Sequence, residues 1–364
     1  MTEVRDIAGF ALPFAAGVLL ASFIPLSGLY GLSAMIAGFI PPGIAYLIYG
    51  TRIRHDRNIQ SAALIALAIP TGFICFTTAY ATEICSTGQT SAITAAATGF
   101  CRQLKDTIDS VPFRNEVTGE LIKALITGDR HSLPPETEEF FRKSGASHIL
   151  ALSGLHLGMV YGILAGITSW AGNTFHIKAA RSILIVIICG LYTIGTGAGD
   201  SMTRAFLFIM TNEAGTLLHR KCKLPGLLMT TLIIQLAADP AAIRSVSFQL
   251  SYAAMAGIAL IHPHLKGFWP DDGQGPFRRI WNNASLSISC QITTGPLVWH
   301  YFGTIPGNFL ITNLIAIPLT SLIIPAALLT VVLYAAGICP HFIVTATELA
   351  VDLLIGSLET ISVM

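Results

Sequence analysis

The sequence predicts an all-α integral membrane protein, a polytopic helical bundle of about ten or eleven spans, some broken or re-entrant, with external and interfacial amphipathic helices beside them. Three observations predict it. Hydrophobic residues make up 53% of the 364 and charged residues only 11%, with a mean hydropathy of +0.66, too apolar for a soluble chain of this length. Apolar runs of about 20 residues, the length needed to cross a bilayer, recur along the chain. The 33 glycines and 18 prolines fall largely inside those runs, where membrane helices tolerate them.

In order, the expected spans are 7–24, 29–49, 61–80, 147–170, 181–197, 202–219, 224–238, 245–262, 281–301 and the continuous run 305–337. The first is long, contains Pro13 and lacks a small-x-small cleavage site, so it reads as a retained span and not a signal peptide. The last is long enough for one span plus a broken or re-entrant piece, with Asn308, Asn313, Pro318 and Pro325 interrupting it. Arg5, the trio Arg52, Arg54 and Arg57, the pair Lys178 and Arg181, the run from His219 to Lys223, and Lys266, Arg278 and Arg279 all fall on one side. The opposite loops carry little besides Arg244, so the positive-inside rule puts the N-terminus in the cytoplasm.

The chain therefore divides into three N-terminal transmembrane helices (1–82), an external segment (83–146), a transmembrane core (147–340) and a C-terminal amphipathic helix (341–364). In the external segment, 91–109 places Ile93, Ala97, Phe100, Leu104 and Ile108 on one face, which suits an interfacial helix. A short helix at 117–127 follows, and Pro134-Pro135 opens a third whose first turns hold Glu136, Glu138 and Glu139. Within 345–361, Glu348, Asp352 and Glu359 share a side. Cys85 and Cys101 are both external on this topology and are candidates for a disulfide; no cysteine or histidine spacing suits a metal, and no cofactor is expected.

The stretch from Ser144 to Gly158 holds His148, His156, Ser147 and Ser153 at the start of an apolar helix. Polar groups at lipid depth must be paired, buried in protein or wetted. Gly154, Gly158, Gly162 and Gly166 recur every fourth residue and predict a stripe for close helix packing. On one helix the two histidines, eight residues apart, would be separated by about 80°. They cap neighbouring polar groups in a packed bundle, or they line a polar pore.

A second constellation runs from Gly195 to Arg204. Its alternating glycines break a helix, Asp200-Ser201 caps the next, and Arg204 lies at i+4 from Asp200. It is either a self-neutralising cap or, with unwound backbone beside a helix N-terminus, an anion site. Glu213 lies deeper in the same helix. Gln249 and Ser251 place hydrogen-bonding groups in another span, usually helix–helix glue. Gln291, Asn308 and Asn313 accompany Pro296, Pro306 and Pro318, and discontinuous helices of this kind often mark a transport path.

These segments resemble, in order, the ComEC family, the inner-membrane channel of bacterial DNA uptake. Its G-D motif is matched by Gly128-Asp129, and its A-H-L-L-A-I-S-G-L-H-V motif by the stretch from Ala146 to Gly158. The R-A motif stands as Arg204-Ala205. Asp239-Pro240 with Phe248-Gln249-Leu250-Ser251, and Gly295-Pro296 with Asn313 to Pro318, complete the set. The resemblance covers about 91–322. It implies that the core 147–340 is a competence-type channel for single-stranded DNA in the bacterial inner (cytoplasmic) membrane. An external DNA-receptor protein and a cytoplasmic helicase-like motor or single-strand-binding protein are implied as partners, beside membrane lipid. Larger members carry an external OB-fold domain, for which 83–91 leaves no room, and many end in a metallo-β-lactamase-like domain. This chain has neither an H-x-H-x-D-H motif nor a G-x-x-x-x-G-K-[ST] loop, so neither nuclease nor ATPase activity is expected of it.

A phosphate on every nucleotide demands a wet, polar path with sparse cationic contacts. His148, Ser153, His156, Asp200, Arg204, Gln249, Ser251, Gln291, Asn308 and Asn313 are the expected channel-lining or substrate-contacting residues, with Arg130, Arg142 and Lys143 collecting DNA at the external mouth. Two other classes compete. One is a transporter of another polyanion. The other is an intramembrane serine hydrolase using Ser147 or Ser153, although a serine and histidine three apart on one helix meet poorly for proton transfer.

Overall fold

The computed structural model describes residues 2–23, 65–77, 79, 92–172, 174–219, 223–268 and 275–363. Every regular element among them is helical. Among the described residues, three helices are long and apolar enough to cross a membrane: Phe175–Gly195, Phe309–Ala335 and His341–Val363. Five shorter apolar helices accompany them: Ile7–Phe23, Ile65–Thr77, Gly154–Thr168, Leu224–Ala238 and Val246–Leu260. The expected span 29–49 lies outside the described residues.

The helices are α1 (Thr2–Phe23), α2 (Ile65–Thr77), α3 (Ala92–Ser110), α4 (Glu116–Thr127), α5 (Pro135–Lys143), α6 (Ser147–Leu150), α7 (Gly154–Thr168) and α8 (Phe175–Gly195). There follow α9 (Asp200–Leu217), α10 (Leu224–Ala238), α11 (Val246–Leu260), α12 (His262–Lys266), α13 (Pro276–Phe302), α14 (Phe309–Ala335) and α15 (His341–Val363). They fall into two compact units, Met1–Gln89 with Met210–Tyr252, and Thr90–Ile209 with Ala253–Met364.

In the first unit, α1 and α2 cross with backbones touching. A Cβ on Gly17 would lie 2.0 Å from the carbonyl oxygen of Ile69, and one on Gly72 would lie 2.0 Å from that of Phe14. Phe14, Val18 and Ala68 pack there with Leu232, Leu236, Ile243 and Phe248. Asp239 caps the 3-10 turn Pro240–Arg244 by accepting from Ala241 N at 3.1 Å. Gln249 donates to the Ile243 carbonyl at 2.9 Å, and Tyr252 donates to Gln235 Oε1 at 3.1 Å. The D-P…F-x-L-S pattern therefore stitches a tight corner between two helices.

In the second unit, α4 is the centre of the core. Asn115 caps its start by accepting from Val117 N, and Gly128 ends it in the left-handed region at φ +77°. Leu121, Ile122, Leu125 and Ile126 are buried among α14 and α15, beside Ile108 and Phe141. A short helix of the segment expected to lie outside the membrane thus supplies the middle of this unit's core. Of the face expected on α3, Ala97 and Ile108 are buried while Ile93 and Phe100 are exposed. Cys101 is a buried free thiol; Cys85, its candidate partner, lies outside the described residues, and so does any bond between them.

One expectation about continuity is corrected. The run 305–337 was expected to break, yet α14 is one helix through Pro318 and Pro325, and α13 runs through Pro296. The interruption falls between them, where Gly303 caps α13 at φ +68°. Within α14, Thr320 and Ser321 bond back to the Ala316 and Ile317 carbonyls at 2.7 Å each, local adjustments that help a helix absorb proline. The C-terminal helix, expected as an amphipathic helix over 341–364, runs from His341 to Val363 and is apolar enough to span; it packs along α14, with Thr347 Oγ1 and Thr330 Oγ1 in contact at 3.1 Å.

Candidate functional site

The helix expected from residue 147 is broken, and the break organises the site. After α5, Gly145 turns the chain at φ +83°, and a side chain there would strike Pro306, whose Cβ lies 2.6 Å from the Cβ position. One turn of helix, α6, follows. Ala151 is extended, and Ser153 is the extended N-cap of α7. Ser153 Oγ accepts from Leu155 N at 3.3 Å, and His156 Nδ1 accepts from Ser153 N at 3.2 Å, a capping box with histidine where Glu or Gln is usual. His148 and His156 therefore sit on different elements, and the angle expected for a single helix does not apply.

Neighbouring segments fix this break from several sides. Thr312 of α14 donates to the Ser144 carbonyl at 2.7 Å, both residues being fully buried. Leu152 lies against Gly128, where a Cβ would be 2.6 Å from Leu152 Cδ1. Tyr192 of α8 donates to the Ile126 carbonyl. The Gly128-Asp129 pair thus has a local job: the glycine admits Leu152, and Asp129 accepts from Lys105 Nζ at 2.6 Å and His131 N at 3.2 Å. The Lys105 hydrogen bond holds the Asp129 carboxyl below its ordinary range.

The first turn of α7 is where polar groups converge. His156 is 1% exposed, and its Nε2 is buried with no hydrogen-bond partner. Arg204 of α9 is buried too, and its Nη2 lies 3.2 Å from where a Gly154 Cβ would stand. Asp200, Arg204 and Glu213 are all engaged in polar interactions. His148 is exposed, with Nδ1 3.2 Å from the Gly145 carbonyl oxygen.

The remaining expected residues are dispersed. Asn308 donates to the Ile361 carbonyl at 3.3 Å, tying the start of α14 to the end of α15. Asn313 is half-buried, with Oδ1 buried and unpartnered, and Gln291 is half-buried on α13. Gln249 and Ser251 belong to the other compact unit. Of the mouth cations, Arg142 and Lys143 share Glu139 at 3.6 and 3.0 Å, so one carboxylate offsets part of their charge; Arg130 is half-buried.

Two readings of the site residues are corrected. Among the described residues, only Gly154 of the glycine ladder has a close neighbour. Gly158, Gly162 and Gly166 are exposed, or nearly so, and no described atom lies within 4 Å of a Cβ at any of them. Ser153 and His156 also do meet, at 3.1 Å from Oγ to Nδ1, because Ser153 stands outside the helix and its extended backbone swings the hydroxyl toward the ring. Sequence reasoning missed Thr312 and Tyr192. Each is an ordinary hydroxyl in an apolar run, and only the carbonyl it reaches distinguishes it.

Fold and site define a class: an all-helical membrane protein in which the α6–α7 segment is broken and re-capped by side chains at the point where an arginine and a histidine are buried. Residues 125–364 match the Competence family, described as Competence protein, and the chain belongs to that family. It is 27% identical over 205 residues to ComE operon protein 3 of Bacillus subtilis (strain 168), covering 56% of this chain and 24% of that one. It is 26% identical over 246 residues to Uncharacterized protein YcaI of Escherichia coli (strain K12), covering 65% of this chain and 31% of the relative. The chain thus spans a quarter to a third of the length of the curated relatives it matches. No solved structure matches it. It is a competence-related membrane protein of the ComEC type.

Proposed function

We propose that this chain conducts single-stranded DNA across the bacterial inner membrane during transformation, with its N-terminus in the cytoplasm. The observation that carries the reading is the first turn of α7, where the Arg204 guanidinium and the His156 imidazole both lie buried. Burying a guanidinium among membrane helices is costly, and such residues mark substrate and ion paths. A strand bearing one phosphate per nucleotide needs such donors, few enough to let it move on.

On this reading the chain supplies passage and no chemistry. Capture falls to an external receptor protein, and pulling to a cytoplasmic motor or single-strand-binding protein. Arg130, Arg142 and Lys143 gather the strand outside. Replacing Arg204 or His156 by alanine should abolish DNA uptake while the protein still inserts, and normal uptake by both variants would overturn the reading. Import of labelled single strands, set against polyphosphate and teichoic acid controls, separates it from transport of another polyanion.

One observation favours a second reading. The 3.1 Å contact between Ser153 Oγ and His156 Nδ1 is within reach for nucleophile activation. Against it, both groups are already spent on capping α7, and the ring has no orienting partner at Nε2. A fluorophosphonate probe that labels the wild-type chain but not Ser153→Ala would establish the hydrolase.

A further inference from the structure

Resting on the DNA-channel reading, we infer that the first turn of α7 is a seat for one non-bridging phosphate oxygen of the passing strand, formed by the Nε2–H of His156 beside the guanidinium of Arg204.

The ring's protonation follows from its own hydrogen bonds. A backbone N–H can only donate, and Ser153 N donates to His156 Nδ1 at 3.2 Å. Nδ1 is therefore an acceptor, the ring is neutral, and the proton sits on Nε2. That N–H is buried without an acceptor, on a residue only 1% exposed, and an unmet buried donor of this kind calls for a partner. The capping box holds the ring across the first turn of α7, so Nε2–H belongs to that turn.

The Arg204 guanidinium rides on the same turn. Its Nη2 reaches within 3.2 Å of the Gly154 Cβ position, and Ala205 Cβ is equally near, so the missing side chain of Gly154 is what admits it. Two donor groups of different elements thus meet one helical turn, a chemistry that suits an anionic oxygen and repels a cation.

The test separates the ring's two edges in the full-length chain, expressed in cells lacking their own copy. His156→Asn places an amide oxygen near Nδ1, keeping the cap but removing the Nε2 donor. His156→Gln extends an amide N–H toward the Nε2 position. A hydrogen bond to a charged oxygen is worth about 10- to 100-fold. H156N should therefore lower uptake of a phosphodiester single strand by about that factor, with the thermal midpoint of the purified chain unchanged, and H156Q should recover part of it. A strand with neutral methylphosphonate linkages should show no such difference between wild type and H156N. Wild-type uptake by H156N overturns the seat, and so does a loss that falls equally on charged and neutral strands. A loss accompanied by an equal fall in thermal midpoint assigns the ring to capping alone and likewise overturns it. If deleting the whole chain leaves uptake intact, the channel reading itself fails, an outcome distinct from these.

Discussion

At the crossing of α1 and α2, a methyl group on Gly17 or Gly72 would sit 2.0 Å from a backbone carbonyl oxygen, whereas on Gly158, Gly162 or Gly166 of α7 it would meet no described atom within 4 Å. The first pair bears a helix crossing; the second set forms a face left open by the described residues. The sequence pattern points the other way, because the regular every-fourth spacing belongs to α7. Periodicity tells which residues share a face of a helix. It does not tell what lies opposite that face, and only the second fact makes a glycine indispensable.

The strongest way to break this contrast is to fill the crossing. Gly17→Ala or Gly72→Ala forces the two backbones apart, since the obstructing atom belongs to main chain and cannot rotate away. Overpacking of this kind costs ~3 kcal/mol. Thermal unfolding of the detergent-solubilised chain should show it plainly, and a variant within ~0.5 kcal/mol of wild type would mean that the two helices do not cross as described.

A second prediction sharpens the contrast inside the other unit, where the contact is a hydrogen bond and not a backbone crossing. Thr312→Val keeps the shape of the side chain but leaves the buried Ser144 carbonyl without its donor. An unsatisfied buried carbonyl costs ~1–3 kcal/mol. Because this bond fixes the chain just before the α6–α7 break, uptake should fall along with stability. Thr312→Ser, which restores the hydroxyl, should recover most of both.

How far the sequence reaches differs between these regions for physical reasons. Composition and run length give the helical membrane class, and the expected segments 117–127 and 224–238 match α4 and α10 to within a residue. The break at 151–153 is illegible in hydropathy, because Ala151 and Leu152 continue the apolar run; what breaks the helix is Ser153 and His156 preferring each other as a cap. Prolines mislead in the opposite sense. Pro318 and Pro325 look like interruptions, yet α14 is continuous through both, with Thr320 and Ser321 bonding back to its own carbonyls. Arg204 and His156 could be marked as costly from sequence alone, but their meeting at one turn depends on how α7 and α9 pack.

A smaller effect is expected at the surface of the second unit. Lys105 lowers the Asp129 carboxyl relative to its unfolded value near 3.9, so the pair contributes stability above that pH and loses it as pH falls through the folded value. The two side chains are 35% and 22% exposed, so solvent screening limits the pair to ~0.5–1 kcal/mol. Asp129→Asn should lower stability by that amount at pH 7 and flatten its dependence below about pH 4. An unchanged acid limb in the variant would remove this pair from the account of how the turn after α4 is held.

The least effect belongs to the open face of α7. Alanine at Gly158, Gly162 or Gly166 meets no described neighbour and relieves the entropic cost of glycine in a helix, so each variant should be neutral or gain up to ~1 kcal/mol. Gly154→Ala is the internal control, because its new methyl would lie 3.2 Å from Arg204 Nη2 and Ala205 Cβ. That contact is tight but not prohibitive: the guanidinium can shift by a few tenths of an ångström. Stability should therefore change little, while uptake falls if the position of Arg204 matters to the strand. If instead all four alanines behave alike, either all harmless or all disruptive, the distinction between the occupied first turn of α7 and its open remainder is wrong.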